Sequence, residues 1–198
     1  VTVAEVMETV EKDRSYYRRT GGGLTLSGGE STMQPEFARD LLQAAKMSGI
    51  GTAMESMGCC PFHNLEMILP WLDTYLMDIK HTDPEKHKAF TGARNDLMLE
   101  NAKKVAVSGM TNLVIRVPVI PTFNDTKKEI QDIAVFADQL PGVKKIHLLP
   151  YHRLGSDKYI GLDRVYKMDE IVPPENDHMQ MLKDAVEMVS DLECQIGG

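Results

Sequence analysis

The side chains best suited to chemistry in this 198-residue chain gather where apolar runs stop. The first place is Gly21-Gly22-Gly23-Leu24-Thr25-Leu26-Ser27-Gly28-Gly29-Glu30. It reads as a short strand, Leu24 to Ser27, bracketed by glycines, with an acid at its exit. Gly28 and Gly29 carry no Cβ, so backbone there can approach a ligand closely. Glu30 can accept hydrogen bonds from an ammonium group; a tight turn with an exposed acid is the other reading. A second strand pattern, Thr52 to Glu55, ends in Glu55-Ser56. A third, Thr74 to Ile79, carries Asp78 and Lys80 at its end. Residues two apart on a strand share a face, so these two can serve one site or simply pair. In the run Asn112 to Ile120, Leu113, Val114, Ile115, Val117, Val119 and Ile120 leave Arg116 as the polar exception. A cation in such a run is costly unless it is paired. That favours a site role for Arg116 over a place on an exposed edge strand. A last strand pattern, Val143 to Leu149, runs out just before His152.

Helical patterns alternate with these strands. Thr2 to Arg18 carries Val3, Val6, Met7 and Val10 on one face, and Thr2 with Glu5 forms a capping box at its start. Pro35 opens a helix to Met47, since proline suits a first helical turn. Further helices are expected over Asn64 to Leu69, Pro84 to Thr91, and Asn95 to Ser108 with Leu97, Ala102, Val105 and Ala106 inward. Thr126 caps one running to Gln139, and a final helix spans Glu175 to Leu192. Five strands alternating with helices imply a parallel sheet. Such sheets place ligands at the C-terminal ends of their strands, where all the candidate residues lie. The fold class is therefore α/β, a partial (β/α) barrel of parallel strands. No G-x-G-x-x-G fingerprint and no Walker lysine occur.

Composition narrows the function further. The net charge of -7 argues against broad nucleic-acid binding, and no apolar run is long enough to span a bilayer. Cys59, Cys60 and Cys194 make no disulfide framework, so a reducing cytoplasm is the expected setting. Adjacent cysteines are poorly placed to ligate one metal, even with His63 nearby. His81 and His87 have no obvious ligand partners and are expected at the surface. The thirteen methionines read as flexible core filler.

Four motifs in order carry a resemblance: the glycine-bracketed stretch ending in Glu30, then Met77-Asp78-Ile79-Lys80, then Ile115-Arg116-Val117-Pro118. The fourth is Leu148-Leu149-Pro150-Tyr151-His152-Arg153-Leu154-Gly155 with Lys158-Tyr159. Together they resemble the glycyl-radical-enzyme activating enzymes of the radical S-adenosylmethionine (SAM) superfamily, the group that includes pyruvate formate-lyase activating enzyme. The resemblance covers 1–160, expected to be a radical SAM partial-barrel domain; 161–198 is expected to be an irregular segment and a helix packed on the same domain.

The resemblance implies the following. A 4Fe–4S cluster held by C-x-x-x-C-x-x-C and SAM together yield a 5′-deoxyadenosyl radical. That radical takes a hydrogen atom from a glycine of a partner such as pyruvate formate-lyase, with flavodoxin or ferredoxin as electron donor. Gly28, Gly29 and Glu30 would hold the SAM amino group, and Lys80 and His152 its carboxylate. Arg116 would lie beside the nucleoside. Glu55, Ser56 and Asp78 match positions where a monovalent cation can bind in the family. An acid, a cation and a donor on neighbouring strand ends do complement a zwitterionic ligand.

Three departures accompany the resemblance. The cluster motif is missing, Ser31 replaces the usual proline after Gly-Gly-Glu, and Glu55-Ser56 stands where Asp-Thr is common. The chain opens on Val1 and enters a helical pattern at once. It is therefore expected to be a fragment lacking the first strand and the cluster loop, inactive by itself. A non-catalytic barrel remnant binding SAM or a partner is the alternative. A third possibility is an unrelated barrel enzyme using Lys80 as a Schiff base.

Overall fold

A computed structural model describes residues 1–153, 168 and 170–197. Six strands form one sheet in sequence order: β1 (Gly23–Leu26), β2 (Gly51–Ser56), β3 (Thr74–Asp78), β4 (Asn112–Val119), β5 (Lys145–Pro150) and β6 (Glu193–Ile196). Every neighbouring pair is parallel. The sheet is open, with β1 and β6 at its edges. The helices between the strands are α3 (Pro35–Met47), α4 (Phe62–Ile68), α5 (Pro84–Thr91), α6 (Asp96–Ser108), α7 (Lys127–Asp138) and α8 (Asn176–Glu187). Ahead of β1 stand α1 (Val3–Val10) and α2 (Arg14–Thr20).

The two sheet faces differ. Met54, Tyr75, Met77, Ile115, Val117, Ile146 and Leu148 join one core with the inward residues of the helices, such as Leu42, Leu65, Val105, Ile133 and Leu182. The residues between them in sequence, including Glu55, Asp78, Arg116 and His147, are only partly buried. Strand side chains alternate between faces. One face is thus apolar and covered by helices, and the other mixes apolar residues such as Leu76, Val114 and Leu149 with the charged ones. A parallel sheet covered on both faces would read as continuous apolar runs instead.

Local signals set the element starts. The Thr2 hydroxyl accepts from the Glu5 N–H at 3.3 Å and the Thr2 N–H donates to Glu5, closing the capping box of α1. Thr126 and Glu129 do the same for α7. The single helix expected over Thr2 to Arg18 is interrupted by a tight turn at Glu11–Asp13. The turn lets Arg14 pair with Glu11 and donate to the Ser48 carbonyl at 2.7 Å, so the second segment bends toward the end of α3.

Three further expectations are corrected. The sheet has six strands rather than five, because Glu-Cys-Gln-Ile at 193–196 pairs with β5. The 161–198 segment therefore contributes a strand as well as a helix. Leu97 is 40% exposed, and Met98 takes the inward position on α6 with Asn101, Ala102, Val105 and Ala106. His81 and His87 are buried rather than on the surface. The His81 Nδ1 accepts from the Asp83 N–H at 2.9 Å, and the His87 Nδ1 lies 2.6 Å from the Ala93 carbonyl. The His81 Nε2 makes no hydrogen bond among the described residues and lies 3.6 Å from the Glu129 Oε1.

Candidate functional site

The exits of β1 to β4 meet around a cavity of about 380 Å3. From β1 come Ser27, Gly28, Gly29 and Glu30; from β2, Glu55, Ser56 and Met57; from β3, Asp78; from β4, Arg116. Seven of the nine predicted site residues thus line one space. Lys80, two residues beyond β3, stands outside it with its Nζ 4.0 Å from Asp78. His152, two residues beyond β5, is exposed and also outside it. The motif residues Leu154, Gly155, Lys158 and Tyr159 lie outside the described residues.

Glu30 is held from two directions. Gly28, at φ +108°, turns the chain out of β1 in a conformation that favours glycine. Glu30 then caps the single turn Ser31–Met33. Its Oε1 accepts from the Thr32 N–H at 3.2 Å and from the Thr32 hydroxyl at 2.7 Å. The Ser56 hydroxyl donates to the same oxygen at 2.6 Å, and the Met57 N–H reaches Oε2 at 3.2 Å. No ion pair reaches Glu30 among the described residues. The donors that fix this carboxylate among the described residues are all neutral.

Ser56 is itself braced, because its hydroxyl accepts from the Gly58 N–H at 2.9 Å. Gly58 has φ +67°, and a Cβ there would stand 2.6 Å from the Met77 Cε. The Gly58 and Cys60 carbonyls each accept from the buried Asn101 amide at 2.8 Å. Helix α6 thus anchors the loop that leaves β2.

The other two acids are committed to Arg116. Its Nη1 lies 2.7 Å from the Glu55 Oε1, and its Nε donates to the Asp78 Oδ1 at 2.9 Å. The Ser27 hydroxyl donates to the Glu55 Oε2 at 2.7 Å. One chain of contacts therefore ties β1, β2, β3 and β4 together. The Arg116 side chain is only 12% exposed, so the pairing that its apolar run demanded is present. Burial works to raise the Glu55 carboxyl, but the hydrogen bonds from Ser27 and Arg116 outweigh it and hold the group below the ordinary carboxylate range. Burial likewise opposes the charge on Arg116, and the nearby Asp78 and Glu55 reverse that effect. The guanidinium thus bridges two acids at the strand exits.

Ser27, Thr32, Gly58 and Asn101 escaped the sequence reading. A signal existed for Asn101, an amide at the inward phase of an otherwise apolar helix face. Thr32 and Ser27 gave none, since hydroxyls near turns are common.

The cysteines do not form a cluster site. Cys59 and Cys60 follow β2, whereas Cys194 lies on β6 at the far edge of the sheet. Burial pushes the Cys60 thiol up and the Cys194 thiol up to about 11. A thiolate is the form that ligates iron. Among the described residues, no three His, Cys, Asp or Glu side chains are placed to hold a metal ion.

With a parallel half-barrel and a polar site at its strand exits, the chain belongs to the Radical SAM superfamily, whose sequence pattern matches residues 1–137. Members of that superfamily use SAM and a 4Fe–4S cluster. The chain is 38% identical over 202 residues to the (2S)-3-sulfopropanediol dehydratase activating enzyme of Klebsiella oxytoca, covering 100% of this chain and 63% of that protein. It is 44% identical over 172 residues to the isethionate sulfite-lyase activating enzyme of Nitratidesulfovibrio vulgaris strain Hildenborough, covering 86% and 55% respectively. The chain thus spans little more than half the length of these curated relatives. A crystal structure of a domain of pyruvate-formate lyase-activating enzyme from Bacteroides vulgatus superposes with a TM-score of 0.74 at 28% identity. That match covers 89% of this chain and 99% of the domain. The family membership removes the unrelated Schiff-base reading of Lys80.

Proposed function

We propose that this chain is the SAM-holding barrel of an enzyme that installs a glycyl radical on a partner glycyl-radical enzyme. The observation that carries the proposal is the charge state of the cavity. Three carboxylates face it, and two of them share an ion pair with Arg116. Among the described residues Glu30 is the one of the three held entirely by neutral donors, a ready acceptor for the SAM ammonium. Gly28 and Gly29 leave room for the methionyl backbone, and Lys80 and His152 take its carboxylate from the neighbouring strand exits. Bound SAM, with a 4Fe–4S cluster, supplies the hydrogen-abstracting radical chemistry. This chain's residues bind and orient the SAM. The likeness to activating enzymes of a dehydratase and a sulfite-lyase supports a glycyl-radical enzyme as partner, pyruvate formate-lyase included, and flavodoxin or ferredoxin as electron donor.

Equilibrium dialysis with labelled SAM tests the reading. Glu30→Gln keeps the shape and removes the charge, so affinity should fall roughly ten- to hundredfold, the size of a charge-assisted contact of about 1.5–3 kcal/mol. Unchanged affinity would overturn the assignment. A second reading is a barrel that binds SAM or a partner without radical chemistry. Iron and sulfide content after anaerobic reconstitution of the complete reading frame separates the two. About four irons per chain mark the enzyme; SAM binding without iron marks the second reading.

A further inference from the structure

The family resemblance implies a monovalent cation at the positions of Glu55, Ser56 and Asp78, and the donors present do not fit one. Both Glu55 oxygens are occupied, Oε1 by Arg116 and Oε2 by Ser27, each at 2.7 Å. The Asp78 Oδ1 accepts from Arg116 at 2.9 Å, and its Oδ2 faces Lys80 at 4.0 Å. The Ser56 hydroxyl donates to Glu30 and accepts from the Gly58 N–H, so its proton and one lone pair are engaged. Glu55 and Asp78 therefore already meet two cations of this chain, Arg116 and Lys80.

We infer that the Arg116 guanidinium is the resident cation of this pocket and takes the place of an alkali-metal ion between Glu55 and Asp78. The identity of residue 55 explains how. Glu55 lies on β2 and Arg116 on β4, with β3 between them. Strands two apart are separated by roughly 9.6 Å, so only two long side chains close the gap. An aspartate at 55 would be shorter by about one C–C bond, roughly 1.5 Å, and a 2.7 Å contact would open past hydrogen-bonding range. The glutamate that departs from the common Asp-Thr is thus the residue that lets the guanidinium in. Guanidinium also suits the task chemically. It is weakly hydrated, always charged and presents its donors as a planar fork. An alkali ion beside it would add a like charge in a half-buried space.

The consequence for SAM affinity rests on the proposed function, but cation preference can be measured on the chain alone. Unfolding midpoint and SAM affinity would be compared in potassium, sodium and tetramethylammonium chloride at equal ionic strength. The natural protein should show the same values in all three. Glu55→Asp should gain a response. Its midpoint should rise saturably with potassium or sodium but not with tetramethylammonium, and SAM affinity should follow several-fold. A saturable potassium or sodium response in the natural protein would overturn the inference. So would broadening of the sodium-23 resonance by the natural protein that potassium relieves, or an indifferent Glu55→Asp variant. A natural protein indifferent to cations that also binds no SAM would sink the SAM reading and leave Arg116 in its place.

Discussion

Ile115 and Arg116 are neighbours on β4, yet they belong to different worlds. Ile115 points into the helix-covered core and is fully buried. Arg116 points to the opposite face and ties three other strand ends together. The core face is held by area removed from water, which tolerates repacking among shapes of similar volume. The site face is held by a few directed contacts, each lost outright when one partner goes. Along a single strand, one residue therefore serves packing alone and the next serves both stability and the geometry of the polar site.

Substitutions at the two faces should show the separation. Ile115→Ala is expected to have the largest effect on stability, about 3–4 kcal/mol within the usual span for a truncated core isoleucine. SAM affinity per folded molecule should stay within about twofold, a working margin for independent sites. Denaturant unfolding and dialysis on the same preparation would check both. Arg116→Ala should cost about 3 kcal/mol, the low end for breaking a buried pair because Glu55 and Asp78 retain some solvent. Unlike the isoleucine change, it should also abolish measurable SAM binding. Gly58→Ala should cost about 1–3 kcal/mol from its positive φ and the crowding by Met77. Its loss of affinity should be smaller than that of Glu30→Gln, since it acts only through Ser56.

The smallest effect is on pH dependence. The Glu55 carboxyl is lower in the folded chain than its ordinary value of 4.5. Its contribution to stability is then fully present above about pH 4.5 and disappears as pH falls through the depressed folded value. Glu55→Gln should flatten that part of an acid-unfolding curve, whereas Ile115→Ala should shift the whole curve without changing its shape.

The same two faces explain what could be read in the sequence. Apolar runs and the glycines around Leu24 to Ser27 exposed five strands and their exits, because a buried parallel strand needs such a run. Four short residues at 193–196 carried only two apolar side chains, and pairing with β5 decided their state rather than propensity. Glu30, Glu55, Asp78 and Arg116, which line one cavity, could be grouped from the sequence because charges at strand exits stand out against apolar surroundings. How they divide was hidden, since a bridge from β2 to β4 depends on side-chain reach across β3. Leu97 was misplaced by one residue because Asn101, a polar residue, occupies the inward phase of α6 to anchor the Gly58 loop. His81 and His87 were misread because their partners are backbone groups a few residues away, which residue types do not reveal.

Because each strand pairs with its neighbour in sequence, the sheet can be assembled in the order of synthesis. Each new strand emerging from the ribosome meets an edge already in place, and domains grow from the N-terminus in this way. The Glu30 clasp needs only residues up to Met57, so it can form early. The Arg116 bridge must wait for β4. Throughout that interval Glu55 and Asp78 sit near each other without their guanidinium, so the nascent half-barrel is a more acidic object than the finished one. The outer edge of β5 stays bare until the last few residues of β6 arrive. A ribosome pausing shortly before residue 193 would leave that edge open longest to pairing with another nascent chain.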